Sequence, residues 1–494
     1  MRTHLLCLPL VLLSVWAGHT QEPATPAPLS QQSQACLLCH ERYHPGLVAD
    51  WRSSRHAQVT PALAFDKPVL ERRVSSQTIP DNLRGVAVGC YECHGLNAAA
   101  HQDSFDHLGF RIHVIVSPND CRTCHAEEAQ QYANSKKAHA LDNLRKNTVY
   151  QALVETITGA KELRDGKLSH LAASDYTKAE TCYACHGTEV TVAGMKTVTS
   201  DLGEVEVPDL GNWPNQGVGR INPDGSSGAC TACHPRHSFA IEIARQPYTC
   251  GQCHLEPDVP AYNVYRESKH GNIVDSREGE WNWDAVPWKV AADFRAPTCA
   301  TCHNALLATP AGDQIVARSH DFGSRLWVRL FGLLYSHPQP KSGQTYLIRN
   351  DDGLPLPTTF TGKPAADYLI DQAEQVRRRS EMRRVCQSCH GANWAEGHFA
   401  RLDSTVAETN KMTLAATQLM LRAWDRKLAD RSNPFDEAIE QRWVRQWMFY
   451  ANSVRYASAM AGPDYAAFKN GWWELTGNLQ EMRDLTNPGA KKHR

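Results

Sequence analysis

Sixteen of the seventeen cysteines in this 494-residue chain fall into eight Cys-x-x-Cys pairs, and every pair is followed at once by histidine. The pairs are Cys36/Cys39, Cys90/Cys93, Cys121/Cys124, Cys182/Cys185, Cys230/Cys233, Cys250/Cys253, Cys299/Cys302 and Cys386/Cys389. Their histidines are His40, His94, His125, His186, His234, His254, His303 and His390. Residues at i, i+3 and i+4 share one face of a helical turn, so each motif presents two thiols and an imidazole in one direction. Two such thiols can add to two vinyl groups of a porphyrin while the imidazole turns onto its iron. The motifs therefore predict eight covalently attached hemes c, with the cysteines as attachment points and the histidines as proximal ligands. A disulfide framework would leave the histidines unexplained. Zinc sites set their histidines at a distance from the cysteine pair, and redox Cys-x-x-Cys motifs come singly.

That reading shapes the expected fold. Gly, Pro and turn residues run through the first four hundred positions, so a conventional aliphatic core is hard to assemble there and the prosthetic groups must fill much of the interior. The expected class is mainly α, a multiheme cytochrome c with a heme-packed core and little sheet. At the N-terminus, Arg2 precedes an apolar run from Leu5 to Trp16 that ends on Ala17-Gly18, the pattern of a secretory signal peptide over about residues 1–17. Cys7 lies inside that run and is read as part of the discarded peptide. No other stretch approaches the roughly 20 apolar residues of a membrane-crossing helix, so the expected location is periplasmic. A net charge of -1, with both signs interspersed, argues against nucleic acid or an anionic membrane as the main partner.

Beyond His4 and His19 near the N-terminus, thirteen further histidines lie outside the motifs, more than eight irons can use. Three recur in one context: Trp51-Arg-Ser-Ser-Arg-His56, Tyr132-Ala-Asn-Ser-Lys-Lys-Ala-His139 and Tyr265-Arg-Glu-Ser-Lys-His270 each set an aromatic and a serine before histidine. Ser319-His320 follows its motif at a similar spacing. His237, three beyond His234, cannot easily reach the far face of its own heme and is expected on a neighbour's iron. With His113 and His398 these make the expected distal ligands His56, His113, His139, His237, His270, His320 and His398. The fourth motif stands apart, since no histidine lies between His186 and Cys230. Its iron is therefore nominated as the one with an open position, which distinguishes a reacting heme from an electron relay.

The chain divides by pattern into an octaheme region, 18–400, and a C-terminal helical region, 401–494. From about Thr405, Leu414, Leu421, Trp424 and Leu428 recur at helical spacing; Asn433-Pro434 breaks the chain; Ile439, Trp443, Trp447, Tyr450 and Val454 form a second stripe; a third helix follows Pro463. Such stripes are chiefly core or oligomer packing.

Gly217-Val-Gly-Arg-Ile-Asn-Pro-Asp-Gly-Ser, Cys230-Thr-Ala-Cys-His-Pro-Arg-His-Ser-Phe239, Ser268-Lys-His-Gly271 and Met460-Ala-Gly-Pro-Asp-Tyr465 resemble the octaheme hydroxylamine oxidoreductase family, over nearly the whole mature chain. The Gly-x-Gly at 217–219 has no third glycine and is no nucleotide fingerprint. The resemblance implies a homotrimer with seven bis-histidine hemes and a five-coordinate, catalytic fourth heme. It also implies, for the oxidising members, a covalent bond from a C-terminal tyrosine of a neighbouring subunit to that heme; Tyr465 matches that position. Members without the bond are implied to reduce nitrite or hydroxylamine. Where the family often has histidine before Gly-Val-Gly-Arg, this chain has Asn215-Gln216, neutral amides that cannot take a proton from substrate. Tyr456 stands where another histidine is expected.

The resemblance makes the expected activity oxidation of hydroxylamine to nitric oxide or nitrite opposite His186, with the other hemes passing electrons to a small c-type cytochrome. Reduction of nitrite or hydroxylamine, or a purely electron-conducting role, are the alternatives. The first test is covalent: intact mass should exceed the mature chain by eight heme groups, and seven or fewer in fully matured protein would refute the motif count.

Overall fold

The computed structural model describes residues 27–200 and 203–487; the proposed signal peptide lies outside the described residues. The architecture is mainly helical, with sheet limited to four two-stranded ribbons and one three-stranded sheet among the described residues. No helix in them is long and apolar enough to cross a membrane.

Each heme motif adopts the helical turn its spacing calls for. Cys90–His94, Cys182–His186 and Cys299–His303 are five-residue helices that end on the histidine. Cys36 to His40 lie within the helix Gln31–Tyr43, whose N-terminus Ser30 caps by accepting from the Ser33 amide at 3.0 Å. At the other four, the amide of His125, His234, His254 or His390 donates to the carbonyl of the motif's first cysteine at 2.9–3.0 Å, the i to i−4 bond of one turn. Helices this short are unstable alone, so what holds them must be what they bind.

Apolar packing concentrates where the motifs end. The helix Ala392–Asp425 runs 34 residues and begins directly after the last motif, so the expected boundary at 400/401 falls inside it. After a break around Pro434, Ala438–Val444, a wider π turn over Arg445–Tyr450 and Ala451–Met460 form one continuous rod. Trp443, Trp447, Ile439, Tyr450 and Val454 are all buried, as the stripe requires. Met420, Trp424, Phe435, Trp443, Trp447 and Met482 pack with Leu333, Leu334 and Leu356 into the largest apolar cluster. A second cluster stacks Trp281, Trp283, Trp288 and Phe294. Beyond Pro463 the expected third helix is two, Pro463–Ala467 and Trp472–Thr486.

The histidine-free stretch after motif four contains a β-hairpin, Thr191–Ser200 paired with Gly203–Gly211 and largely solvent-facing. Its lack of histidine therefore reflects its place on the surface, and openness of the fourth site needs independent support from geometry.

Arg455 ties the C-terminal rod to the long helix. It is fully buried, bonding Thr409 Oγ1 at 2.9 Å, Asn410 Oδ1 at 2.8 Å and the Leu330 carbonyl at 3.1 Å, and burial lowers its pKa to about 9. Arg455→Met keeps bulk but leaves those acceptors without a donor; we expect the unfolding free energy to fall by about 3 kcal/mol in denaturant titration.

Candidate functional site

The motifs converge on one continuous cavity of about 2670 Å³, lined by all eight proximal histidines. Contacts between thiols of different motifs give their order in space. Cys36 lies against Cys90, Cys93 near Cys124, Cys121 against Cys230, Cys233 near Cys250 and Cys253, Cys250 against Cys299, and Cys302 near Cys386. Motifs one, two, three, five, six, seven and eight thus follow one another. Motif four branches from motif six through Cys185 and Cys253.

The donor set fits heme. Proximal imidazoles have Nδ1 on backbone carbonyls: His94 on His113 O at 2.8 Å, His186 on Ala140 O at 3.2 Å and His303 on Phe322 O at 3.3 Å. That fixes the ring and leaves Nε2 for a metal. Two imidazoles bonded to one iron at about 2 Å each set their ring centroids about 6 Å apart. His56 and His125 stand 6.2 Å apart, His40 and His107 6.2 Å, and His270 and His390 6.0 Å. His56, His107 and His320 each keep a buried Nδ1 without a hydrogen-bond partner. His320 lies by His234, and His237 by His94, so each can serve an iron remote in sequence, as expected of His237.

One of the cysteines departs from the expected arrangement. Fifteen of the sixteen motif cysteines line the cavity, and Cys39 does not. It sits half-buried one helical turn beyond Cys36 on the helix Gln31–Tyr43, next to the exposed Leu38. The cause is position: motif one ends the series, so it has a neighbouring motif on its Cys36 side alone, and Cys39 falls at the rim. The bond from Cys39 to heme one is accordingly a proposal that rests on motif spacing.

The other expected histidines, and one that was not expected, are placed as follows. His107, not foreseen as a ligand, faces His40. His113 stands 6.1 Å from His94, centroid to centroid, like the pairs above; its Nδ1 lies 3.1 Å from Ile115 O and its Nε2 2.8 Å from Leu96 O, it stacks on His101 at 3.7 Å, and its own carbonyl orients His94. Beneath it, burial opposes charge on His101, but hydrogen bonds to Asp103 and Asp120 prevail and raise its pKa to about 9. The imidazole of His139 is not among the cavity-lining groups. His398 lines the cavity, with Nε2 on Ala459 O at 3.1 Å.

Motif four is held by the glycine-rich stretch the sequence singled out. Val218 and Gly219 amides donate to the Cys185 and His186 carbonyls at 3.0 and 3.1 Å. A Cβ on Gly217 would stand 2.2 Å from the Gly187 nitrogen, and Gly187 has a φ of +103° that side-chain-bearing residues rarely adopt. The Gly-x-Gly stretch is thus a backbone brace. Asn215 belongs to it: its side chain spans Tyr183 O at 3.1 Å and the Gly217 amide at 2.9 Å, away from the cavity. Gln216 reaches the cavity wall and accepts from Thr231 Oγ1 at 3.0 Å.

The charges of Asp258, Arg329 and Lys137 act on His186, as those of Glu128 and Arg318 act on His125. Burial pushes the Asp258 carboxyl up, against opposing backbone N–H bonds and His186. Tyr456 also lines the cavity, near Arg329 and Asp258, and burial raises its phenol to about 12. Neither Asp258 nor Arg329 was expected; the sequence carried only a weak sign, Asp258 following His254 by four residues. Tyr465 is 1 % exposed within its own protomer, packs on Val264 and Ala457, and donates to Glu256 Oε2 at 2.9 Å.

Two family models match parts of the chain: the "Seven times multi-haem cytochrome CxxCH" model at residues 224–314 and the "Cytochrome c554 and c-prime" model at residues 120–206. A solved structure described as a hypothetical multiheme protein is 45 % identical, covers 95 % of this chain and 97 % of its own, and superposes with a TM-score of 0.88. A probable nitrite reductase-hydroxylamine oxidoreductase fusion protein from Kuenenia stuttgartiensis is 26 % identical over 285 residues. The chain is a multiheme cytochrome c with the fold of hydroxylamine-oxidoreductase-like proteins. The match to the fusion protein takes in 54 % of this chain and only 25 % of that relative's length. A reducing hydroxylamine-oxidoreductase-like complex from the same organism shares the fold, with a TM-score of 0.61 at 19 % identity over 93 % of this chain and 85 % of its own. As in other multiheme cytochromes, the motifs hold covalent heme c.

The brace yields a prediction. Gly217→Ala should destabilise the protein by about 2 kcal/mol through overpacking. It should also diminish the carbon monoxide response of the reduced protein, measured against total heme; an unaltered response would show that the brace does not position motif four.

Proposed function

We propose that this multiheme cytochrome is an extracytoplasmic octaheme reductase of small nitrogen–oxygen compounds, nitrite or hydroxylamine, with substrate bound opposite His186. The observation that carries this reading is the convergence of Arg329, Asp258 and Tyr456 beside that imidazole. Heme four would supply an iron able to bind substrate nitrogen and to receive electrons relayed from the other hemes, themselves fed by a small c-type cytochrome.

The chain's own groups do the rest. Arg329 is anchored through Nε on Phe331 O at 2.7 Å and offers positive charge to an anion. Burial keeps Asp258 protonated to higher pH than an ordinary carboxyl, so it can donate to a substrate oxygen about to leave as water. Tyr456 lies within the same wall as a second donor. Reduction consumes protons at the substrate, and this pocket supplies them. The internal position of Tyr465 supports the same direction, since the resemblance ties oxidation to a bond from that tyrosine to a neighbour's heme. A homotrimer remains part of the proposal, with exposed Phe468 and Trp473 beside the C-terminal helix as its contact.

Hydroxylamine oxidation is the second reading, favoured by one observation: the Tyr465 phenol rests on Glu256, two residues from Asp258. Tyr465→Phe separates the two. Under the reductive reading its spectrum and rate match the parent; loss of hydroxylamine oxidation together with an altered reduced band would establish the oxidative one.

The pocket is tested with a chemical electron donor and purified holoprotein. Nitrite is an anion and hydroxylamine is neutral at pH 7, so Arg329→Gln should raise KM for nitrite about tenfold and leave that for hydroxylamine nearly unchanged. Asp258→Asn should lower kcat about a hundredfold for both and remove the decline in rate as pH rises through the raised Asp258 pKa. Equal, small effects from both variants would place the reaction elsewhere.

A further inference from the structure

Three turns of the chain are built alike. In the first, Trp51 anchors its indole on Val88 O at 3.0 Å, and Ser54 Oγ donates to Trp51 O at 2.6 Å while accepting from the Ala57 amide at 3.2 Å. In another, the Tyr265 phenol donates to Pro297 O at 3.0 Å, and Ser268 Oγ donates to Tyr265 O at 2.6 Å while accepting from the Gly271 amide at 3.1 Å. In both, the residue two beyond the serine is a histidine facing a proximal ring: His56 toward His125 and His270 toward His390.

The remaining turn repeats every bond. The Tyr132 phenol donates to Val218 O at 2.6 Å, and Ser135 Oγ donates to Tyr132 O at 2.7 Å and accepts from the Ala138 amide at 3.5 Å. Two beyond this serine stands Lys137, not histidine. His139, which the sequence pattern had aligned with His56 and His270, comes two residues too late, and its charged neighbours are Asp142 and Lys146 on its own helix. Lys137 lines the cavity, touches the Phe322 ring face at 4.9 Å and makes no ion pair among the described residues.

The spatial order of the motifs says which iron this turn faces. The turn after motif one serves motif three, two places along the series, and the turn after motif six serves motif eight, again two places along. Two places beyond motif three is motif six. Lys137 also lies close enough for its charge to act on His254, Cys250 and Cys253, all three groups of that motif, whereas in the adjoining motifs its charge acts on single groups, His186, His303 and Cys233.

We propose that Lys137 is the distal axial ligand of the heme carried by Cys250, Cys253 and His254, an amine in the place where its two sister turns offer imidazoles. A nitrogen lone pair is required, so the ammonium releases its proton to solvent as the iron–nitrogen bond forms; no electron is transferred. Heme six, the junction between the relay and motif four, would then differ electronically from its bis-imidazole neighbours. The proposal rests on heme at motif six and not on the direction of catalysis.

The test uses matured holoprotein, with heme content measured in the same samples so that incomplete loading is told apart from absence of amine ligation. Electron paramagnetic resonance and near-infrared magnetic circular dichroism of the oxidised parent should show one histidine–amine low-spin heme. Lys137→His should convert that signal to the bis-imidazole type with heme content unchanged. Lys137→Ala should raise carbon monoxide binding of the reduced protein from about one to about two heme equivalents. His139→Ala should leave the signal as it is. The proposal is overturned if Lys137→His leaves the spectra unaltered, if His139→Ala is the variant that frees a second heme, or if Lys137 variants lose rate with no spectral change, which would make Lys137 a pocket cation. Should Lys137→Ala fail to mature, Lys137→His alone decides.

Discussion

The bond from the proximal imidazole's Nδ1 to a backbone carbonyl is the constraint around which the rest of this chain is arranged. It appears at His94, His186 and His303, each time with a carbonyl from a segment distant in sequence. A helix of five residues does not hold itself, so these three motifs depend on that carbonyl on one side and, with heme attached, on thioether and metal bonds on the other. The polypeptide is thus organised as a set of clamps. Conventional apolar packing is thickest where there are no motifs, around Trp424, Trp443 and Trp447, and there the chain makes its longest helix.

Much of this was legible because covalent attachment demands a local pattern. Cys-x-x-Cys-His is read within five residues, and the one-turn helix follows from it. The stripe Ile439, Trp443, Trp447, Tyr450 and Val454 was likewise legible, even though a π turn at Arg445–Tyr450 widens the spacing, because burial of large aromatics tolerates a shifted register. What the sequence hid are relations between segments. Nothing local says that His113 lies between two carbonyls, that His107 faces His40, or that Cys39 lies at the rim while Cys36 meets the next motif. Asn215 stood next to a distinctive glycine stretch and was taken for a pocket residue; the glycines matter because two backbones cross at Gly187 and Gly217, and Asn215 is part of that crossing. Asp258 and Arg329 come from segments far apart in sequence, and the fold brings the charges of both to bear on His186 and Tyr456.

The same distinction explains Tyr465. The match of Met460 to Tyr465 with the family's segment concerns sequence, whereas reach is a matter of packing, and here Gly462 sits against Val264 with the phenol turned inward to Glu256. A residue type at the right place in an alignment does not fix which protomer its side chain enters.

The branching of motif four has a physical logic that bears on why one site should react and the others conduct. Within a linear series each motif between the two ends has a neighbour before it and after it, and at motifs one, three and eight a second imidazole faces the proximal one. Two strong axial ligands keep such a site the same shape in both oxidation states, which suits transfer and leaves substrate no place to bind. Motif four meets the series at motif six alone, through Cys185 and Cys253. Its remaining side is free to be walled by protein groups, and it is walled by a carboxyl, a guanidinium and a phenol. A site at the end of a branch can therefore exchange ligands without interrupting the path between motifs one and eight. Electrons enter or leave it through one contact, so whatever sets the potential of heme six governs how readily the reacting site is supplied.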